Sequence, residues 1–459
     1  MPLKDILLNL PEVKAPLQKK LSFKEKLKWT LLMLFAFFIL SSIPLYGLGE
    51  NALAQFQFLS VILGASFGSV MSLGIGPIVT ASIVLQLLTG SGILKLDMTS
   101  HEGRRTFQGL QKVLAIFFIL FEAMIYVFMG GLTPSAGISP FVIIFQLFLG
   151  GLMVLYMDEV VSKWGFGSGI SLFIAANVSA QIFIRAFSPL TQAGTWAFGS
   201  GQPPVGKVLT FFLSIAAQDL VGAGRAIAAI LATILVFVAS VYVQAMKVEI
   251  PLSFGRIRGH GIRWPLRFIY TSNIPVILIA ALLANVQLAA QLLERWGHPI
   301  LGTFSGQIPA SGFVQFVYPP ILIDNLLSGS FTSFQLLQAF TYALFMIGGS
   351  ILFSLFWVQT AGMDPKSQAK QIMASGLQIP GFRRDERVLE RLLRRYIFPL
   401  TVMGAIAVGF LAASADLMGA LTNGTGILLT VMIIYRLYED IAKQHMMDMH
   451  PALRKMMGE

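Results

Sequence analysis

Residues 51–94 read NALAQFQFLSVILGASFGSVMSLGIGPIVTASIVLQLLTGSGIL, 44 positions between Glu50 and Lys95 without one charged side chain. As a single helix this stretch would be about 66 Å long at 1.5 Å per residue, against a bilayer hydrocarbon core of roughly 30 Å. It must break, and Gly74-Ile75-Gly76-Pro77 marks the place: flexible backbone, then a proline suited to a first helical turn. A spanning helix therefore starts at Pro77. The part before it, Phe56 to Ser69, mixes Gln57, Ser60, Gly64, Ser66, Gly68 and Ser69 with aliphatics and is too short and too polar to span. Two readings fit it: a half-helix folded back into a cavity, where non-helical backbone at membrane depth is tolerated, or an interfacial helix at the outer rim.

Working outward, uncharged intervals recur: Trp29 to Leu48, Ala226 to Met246, Phe268 to Leu293, Tyr396 to Ala415 and Leu417 to Tyr435. Apolar cores near 108–129, 138–157, 168–186 and 334–357, with the segment after Pro77, bring the expectation to ten spans. An even number places both termini on one side. Composition agrees, since 55% of residues are hydrophobic and only 12% charged, about half the charge of soluble domains. Zero cysteines exclude disulfides, thiolate metal sites and cysteine nucleophiles.

The net charge of +11 would suggest a nucleic-acid binder in a soluble chain, but in a membrane protein the position of the positives decides its meaning. With the N-terminus in the cytosol, 29 of the 33 Lys and Arg fall on the cytoplasmic side of the ten-span topology. The exceptions are Arg185, Lys207, Arg225 and Arg295. The first 28 residues are basic and precede a full-length span, so a cleaved secretory signal is not expected. Segments 187–225 and 291–332 are Gly- and Pro-rich and are expected outside as partly ordered caps.

Glu122 is the clearest acid inside an expected span, and buried intramembrane carboxylates are functional candidates by default; a structural hydrogen bond between helices is the competing reading. One acid does not make a proton relay. The five histidines lie in loops and tails at unrelated spacings, so no metal site is expected, and Gly167-Ser168-Gly169 lacks the lysine and strand of a phosphate loop. No nucleophile–base pair and no cofactor motif is present. Two basic cytoplasmic segments, 247–267 with Arg256 and Arg258 and 361–395 with Arg383, exceed what orientation requires. They suit an RNA-containing partner such as a ribosome.

The stretches Leu73-Gly-Ile-Gly-Pro-Ile-Val-Thr80, Gly165-Phe-Gly-Ser-Gly-Ile-Ser-Leu-Phe-Ile174, Ser272-Asn-Ile-Pro-Val-Ile277, Pro380-Gly-Phe-Arg383 and Asn423-Gly-Thr-Gly-Ile-Leu-Leu429 closely resemble the SecY family, pore subunits of the protein-conducting channel, along essentially the whole chain and nearest its archaeal branch. The resemblance implies an all-α integral membrane protein: ten transmembrane helices in two inverted pseudo-symmetric halves forming an hourglass, with 56–69 as a short plug half-helix. It implies a domain order of 1–28 cytoplasmic, 29–186 as first half, 187–225 external, 226–438 as second half and 439–459 as cytoplasmic tail. Carried over residue by residue, it implies a pore ring of Ile75, Val79, Ile170, Ile174, Ile277 and Leu429. A polar cluster of Thr80, Glu122 and Asn285 would lie at a lateral gate, and Arg256, Arg258 and Arg383 would contact the ribosome. Implied partners are small SecE-like and beta-type subunits, the ribosome, a nascent polypeptide or signal sequence, and lipids of the cell membrane. Two competitors from other classes are a secondary transporter with broken helices and a structural ribosome anchor in the membrane.

Overall fold

In the computed structural model the described residues are 11–17, 21–51, 66–90, 93–94, 101–128, 130–191, 195–198, 202–254, 261–271, 274–295, 297–305, 308–374, 377–378 and 385–449. Ten long helices follow one another among them: α1 Phe23–Ser42, α2 Gly76–Gly90, α3 His101–Phe128, α4 Pro140–Trp164, α5 Gly169–Phe187, α6 Leu220–Ala245, α7 Ile274–Arg295, α8 Ser333–Thr360, α9 Glu386–Leu417 and α10 Gly424–Met449. Six of them, α3 to α6, α8 and α9, are long and apolar enough to cross a membrane by length and composition.

Their ends are set locally. Ser22 caps α1 by accepting from the Glu25 N–H at 3.4 Å, and α8 opens with a reciprocal box between Thr332 and Gln335, each satisfying N–H groups that have no partner within the helix. Pro140 sits in the first turn of α4, where its missing N–H costs nothing.

What the helices bury identifies their solvent. On α6 the buried side is Ala223, Ala226, Ala229, Ala232, Thr233, Val236, Ser240 and Gln244, while Leu231, Ile234, Leu235, Phe237 and Val238 are exposed. Small residues inside and large aliphatics outside reverse the pattern of a soluble helix. In lipid the hydrophobic effect gives no reason to hide leucine, and close backbone packing holds helices together.

The chain forms two compact units, Met1–Ser179 with Ile433–Glu459, and Ala180–Met432. In the first, α2 packs on α3, α3 on α4 and α1 on α4. The core there gathers Leu73, Ile119, Ala123, Val127, Ile143, Ile144 and Leu147. Gly151 lets α4 approach α3, since a Cβ there would stand 2.5 Å from Ile119 Cγ2. A short antiparallel pair, β1 Leu48–Asn51 with β2 Leu132–Pro134, closes one end.

The second unit is built on α7, α8 and α9, whose shared core includes Ile279, Leu283, Tyr342, Met346, Val408 and Ala412. At one end stands a small domain of different character. Strands β3 Lys247–Phe254 and β4 Gly261–Arg267 form a hairpin, and β5 Leu377–Gln378 adds to the free edge of β3. Ile250 and Leu266 of this sheet bury against Ala369 and Ile372 of the short helix Pro365–Ala374 and Leu389 and Leu393 of α9. The two basic segments are therefore joined through one sheet rather than protruding as separate loops. The second is also shorter than its basic run, because Arg387, Arg391, Arg394 and Arg395 lie on α9.

Candidate functional site

The break in the 44-residue interval is a compact turn. Gly74 takes φ +55°, in the left-handed region, and α2 starts at Gly76. Ile75 immediately before the helix is 1% exposed. Its carbonyl accepts from the Val79 N–H at 3.1 Å, which fixes the two side chains one turn apart.

Upstream, 56–65 of the expected plug lie outside the described residues, and 66–69 form a turn instead of a helix. That turn is held at both ends. Leu45 N–H donates to Gly68 O at 2.9 Å and Val70 N–H to Ile43 O at 3.0 Å, while Ser72 Oγ accepts from Gly68 N–H at 2.9 Å. Phe67 meets Tyr126 of α3 edge-on at 6.4 Å.

The six expected ring residues share one local device. Ile75 and Val79 flank the start of α2, Ile170 and Ile174 occupy the first two turns of α5, Ile277 the first turn of α7 and Leu429 the second turn of α10. Ile75, Val79, Ile170 and Ile174 lie in the first unit and Ile277 and Leu429 in the second. Each of these helices follows or contains a Gly or Pro at its start, so the break in the chain and the aliphatic position come as a pair.

Of the polar cluster, two members meet within the first unit: Thr80 of α2 is a hydrogen-bond partner of the half-buried Glu122 carboxyl of α3. The Thr80 hydroxyl also lies 2.9 Å from Gly76 O. Asn285 is on α7 in the second unit, and its side chain lies outside the described residues. Arg256, Arg258 and Arg383 fall on 255–260 and 379–384, also outside them. Bracketing those positions, Phe254 pairs with Leu377 and Ser253 with Gln378.

Three groups of polar residues escaped the sequence reading. Asp158, near the end of α4, accepts from Ile170 N–H at 2.9 Å with Ser168 Oγ at 3.4 Å. Asp416, at the end of α9, accepts from Gly424 N–H at 2.8 Å and from Tyr342 Oη–H at 2.8 Å. The third group ties down the N-terminal segment: Lys112 of α3, 7% exposed, is paired with Glu159 of α4, and Glu159 also accepts from Val13 N–H at 2.9 Å. The acids were legible as carboxylates ahead of a Gly-[Ser/Thr]-Gly-Ile run, but a lone helix-end Asp carries no such meaning until its partner N–H is known.

The profile of the SecY family matches residues 69–438, and that of the plug domain of Sec61p matches 35–68. The chain belongs to the SecY family. Protein translocase subunit SecY of Methanothermobacter thermautotrophicus is 47% identical over 98% of this chain and 97% of its own, and that of Methanocaldococcus jannaschii 42% identical over 99% of both. A solved protein-conducting channel superposes with a TM-score of 0.80 at 41% identity, covering 97% of this chain and 98% of that one. Sec61 in the canine ribosome–channel complex from the endoplasmic reticulum gives 0.77 at 40% identity over the same shares. SecY proteins have the fold of a ten-helix membrane channel, so α1 to α10 are its ten spans and the chain is a multi-pass membrane protein. The plug profile ends at 68, inside the hydrogen-bonded turn that precedes α2.

Proposed function

We propose that this chain is the pore-forming subunit of a protein translocase of the archaeal cell membrane, conducting unfolded polypeptides and releasing apolar segments sideways into lipid. The observation that carries the reading is the set of aliphatic side chains at the broken starts of α2, α5, α7 and α10. A collar of Ile75, Val79, Ile170, Ile174, Ile277 and Leu429 offers water and ions no hydrogen bonds. Its side chains yield to a polypeptide of almost any sequence, so it seals without reading the cargo.

Lateral release requires a gate whose closing energy one apolar segment can overcome. Thr80 and Glu122 supply one interhelical hydrogen bond, and Asn285 is assigned to the same gate from α7. Such bonds in lipid contribute about 0.6 to 2 kcal/mol each, within reach of a single transmembrane segment.

Both termini and the β3–β4–β5 domain are assigned to the cytosol, where the basic residues concentrate. Arg256, Arg258 and Arg383 are the ribosome contacts of this reading, and the ribosome-bound relative supports it. Elongation then drives transport, and SecE-like and beta-type small subunits complete the complex. In this reading the domain order is two halves, 29–186 and 226–438, around an external segment 187–225.

The decisive test is crosslinking of a stalled nascent chain to a photoreactive residue at position 79 or 277. The channel reading expects a strong adduct at both. A secondary transporter or a ribosome anchor predicts none.

A further inference from the structure

Two carboxylates in different units do the same thing. Asp158 and Asp416 each close the last turns of a long helix, α4 and α9, and each reaches across the following tight turn to accept from an N–H in the first turn of the next helix, Ile170 of α5 and Gly424 of α10. The runs they address are alike in composition, Gly167-Ser-Gly-Ile170 and Gly424-Thr-Gly-Ile427, with the bonded N–H on the last residue of the first and on the first residue of the second. Space is alike too: a Cβ on Gly169 would stand 2.6 Å from Asp158 Cα, and one on Gly424 2.1 Å from Ala412 O. At both places the new helix starts in backbone contact with the old one, and the acid satisfies an otherwise orphaned donor at the positive end of the helix dipole.

The Asp416 site has further supports within the second unit. Tyr342 of α8 holds the other carboxylate oxygen, while Arg185 Nη1 donates to Leu421 O at 3.0 Å and Leu421 N–H donates to Thr233 Oγ1 at 2.8 Å. The turn between α9 and α10 is therefore fastened from α5, α6 and α8.

We infer that Asp158 and Asp416 are positioning residues of the channel seal, setting the height and rotation at which α5 presents Ile170 and Ile174 and α10 presents Leu429. The inference rests on the collar assigned above. Ile170 is itself the residue whose N–H Asp158 holds, and Leu429 lies in the second turn after Gly424, so a slip of either helix start moves a collar side chain directly.

The test is resting ion leak of the full-length channel, purified from membranes and reconstituted in planar bilayers, with amide hydrogen exchange over 169–173 and 424–428 read in parallel. Asp158→Ala and Asp416→Ala should each raise leak about fivefold, equivalent to about 1 kcal/mol at 1.4 kcal/mol per tenfold, and speed exchange at their own helix start only. Asp158→Asn and Asp416→Asn keep an acceptor oxygen and should stay near the parent. Leu429→Gly, a direct breach of the collar, should leak as well.

Folded alanine variants with parental leak and exchange, beside a leaking Leu429→Gly, overturn the positioning role and leave the collar standing. A tight Leu429→Gly channel overturns the collar and this inference with it. Asn variants that leak as much as Ala also overturn it, since the acceptor is then not what matters. Should Asp416→Ala fail to accumulate, Tyr342→Phe carries the test: it removes one hydrogen bond of the carboxylate, is expected to raise leak about twofold, and an unchanged leak counts against the proposal.

Discussion

Helix α9 is built by two rules at once, and its two parts make the sharpest contrast in the molecule. In its first part Leu389, Leu393 and Ile397 are buried under the β3–β4–β5 domain, while Arg387, Arg391, Arg394 and Arg395 belong to the same turns. In its second part the buried side is mostly small, with Gly404, Ala405, Gly409, Ala412 and Ala413 beside Leu400 and Val408, and Met403, Ile406 and Phe410 are exposed. The first part hides its large aliphatics, as water requires. The second hides its small residues, as lipid permits. Pro399 sits at the changeover, so the solvent changes along one continuous helix within about a turn of the proline.

The contrast is broken most severely in the lipid-facing part. A side chain at Gly409 would start 3.0 Å from Ile347 Cα, so Gly409→Leu must push α9 off α8. We expect loss of folded channel, measured as detergent-extractable monodisperse protein, while Phe410→Ala on the adjacent exposed position stays near parental yield. In the water-facing part Leu393→Ala removes a fully buried side chain, and its cost, about 2 to 5 kcal/mol for a truncation of this kind, should fall on the small domain. Protease sensitivity of 247–267 should rise while the spans remain intact.

A smaller effect is expected at the gate. Glu122→Leu or Asn285→Leu should shift the hydrophobicity threshold for membrane insertion of a graded series of test segments by about 1 kcal/mol, and an unchanged threshold would reject the gate assignment. The mildest change is charge reversal at Arg383 or Arg256, which should weaken ribosome binding in proportion to falling salt screening. Equal binding across a salt series would count against those contacts.

Much of the fold was legible in the sequence because its main signal is one-dimensional. Uncharged length marks a span, and Gly74 to Pro77 marks a break, whatever the neighbours are. Helix ends were less legible wherever a tertiary partner changes the cost of a charge or a turn. α6 starts at Leu220 instead of Ala226 because Asp219 caps it, accepting from Gly222 N–H at 3.0 Å; Arg225 then stands in the helix, paired with Asp324 at 3.0 Å. α10 starts at Gly424, later than the apolar run from Leu417, because Gly419 turns the chain at φ +69°. The basic segment 361–395 hid a strand of two residues, too short for any alternation to reveal, which pairs with the free edge of β3.

By itself, the sequence determined the solvent, the number of crossings, the place where the second span breaks and the aliphatic character of the proposed collar, all carried by composition and spacing along the chain. Only the tertiary structure decided that Thr80 meets Glu122, that β5 joins the hairpin, and that Asp158 and Asp416 hold the first turns of α5 and α10. Those facts are pairings between residues on different elements, and a hydrogen bond is decided by which donor stands within about 3 Å of which acceptor. No periodicity encodes that distance.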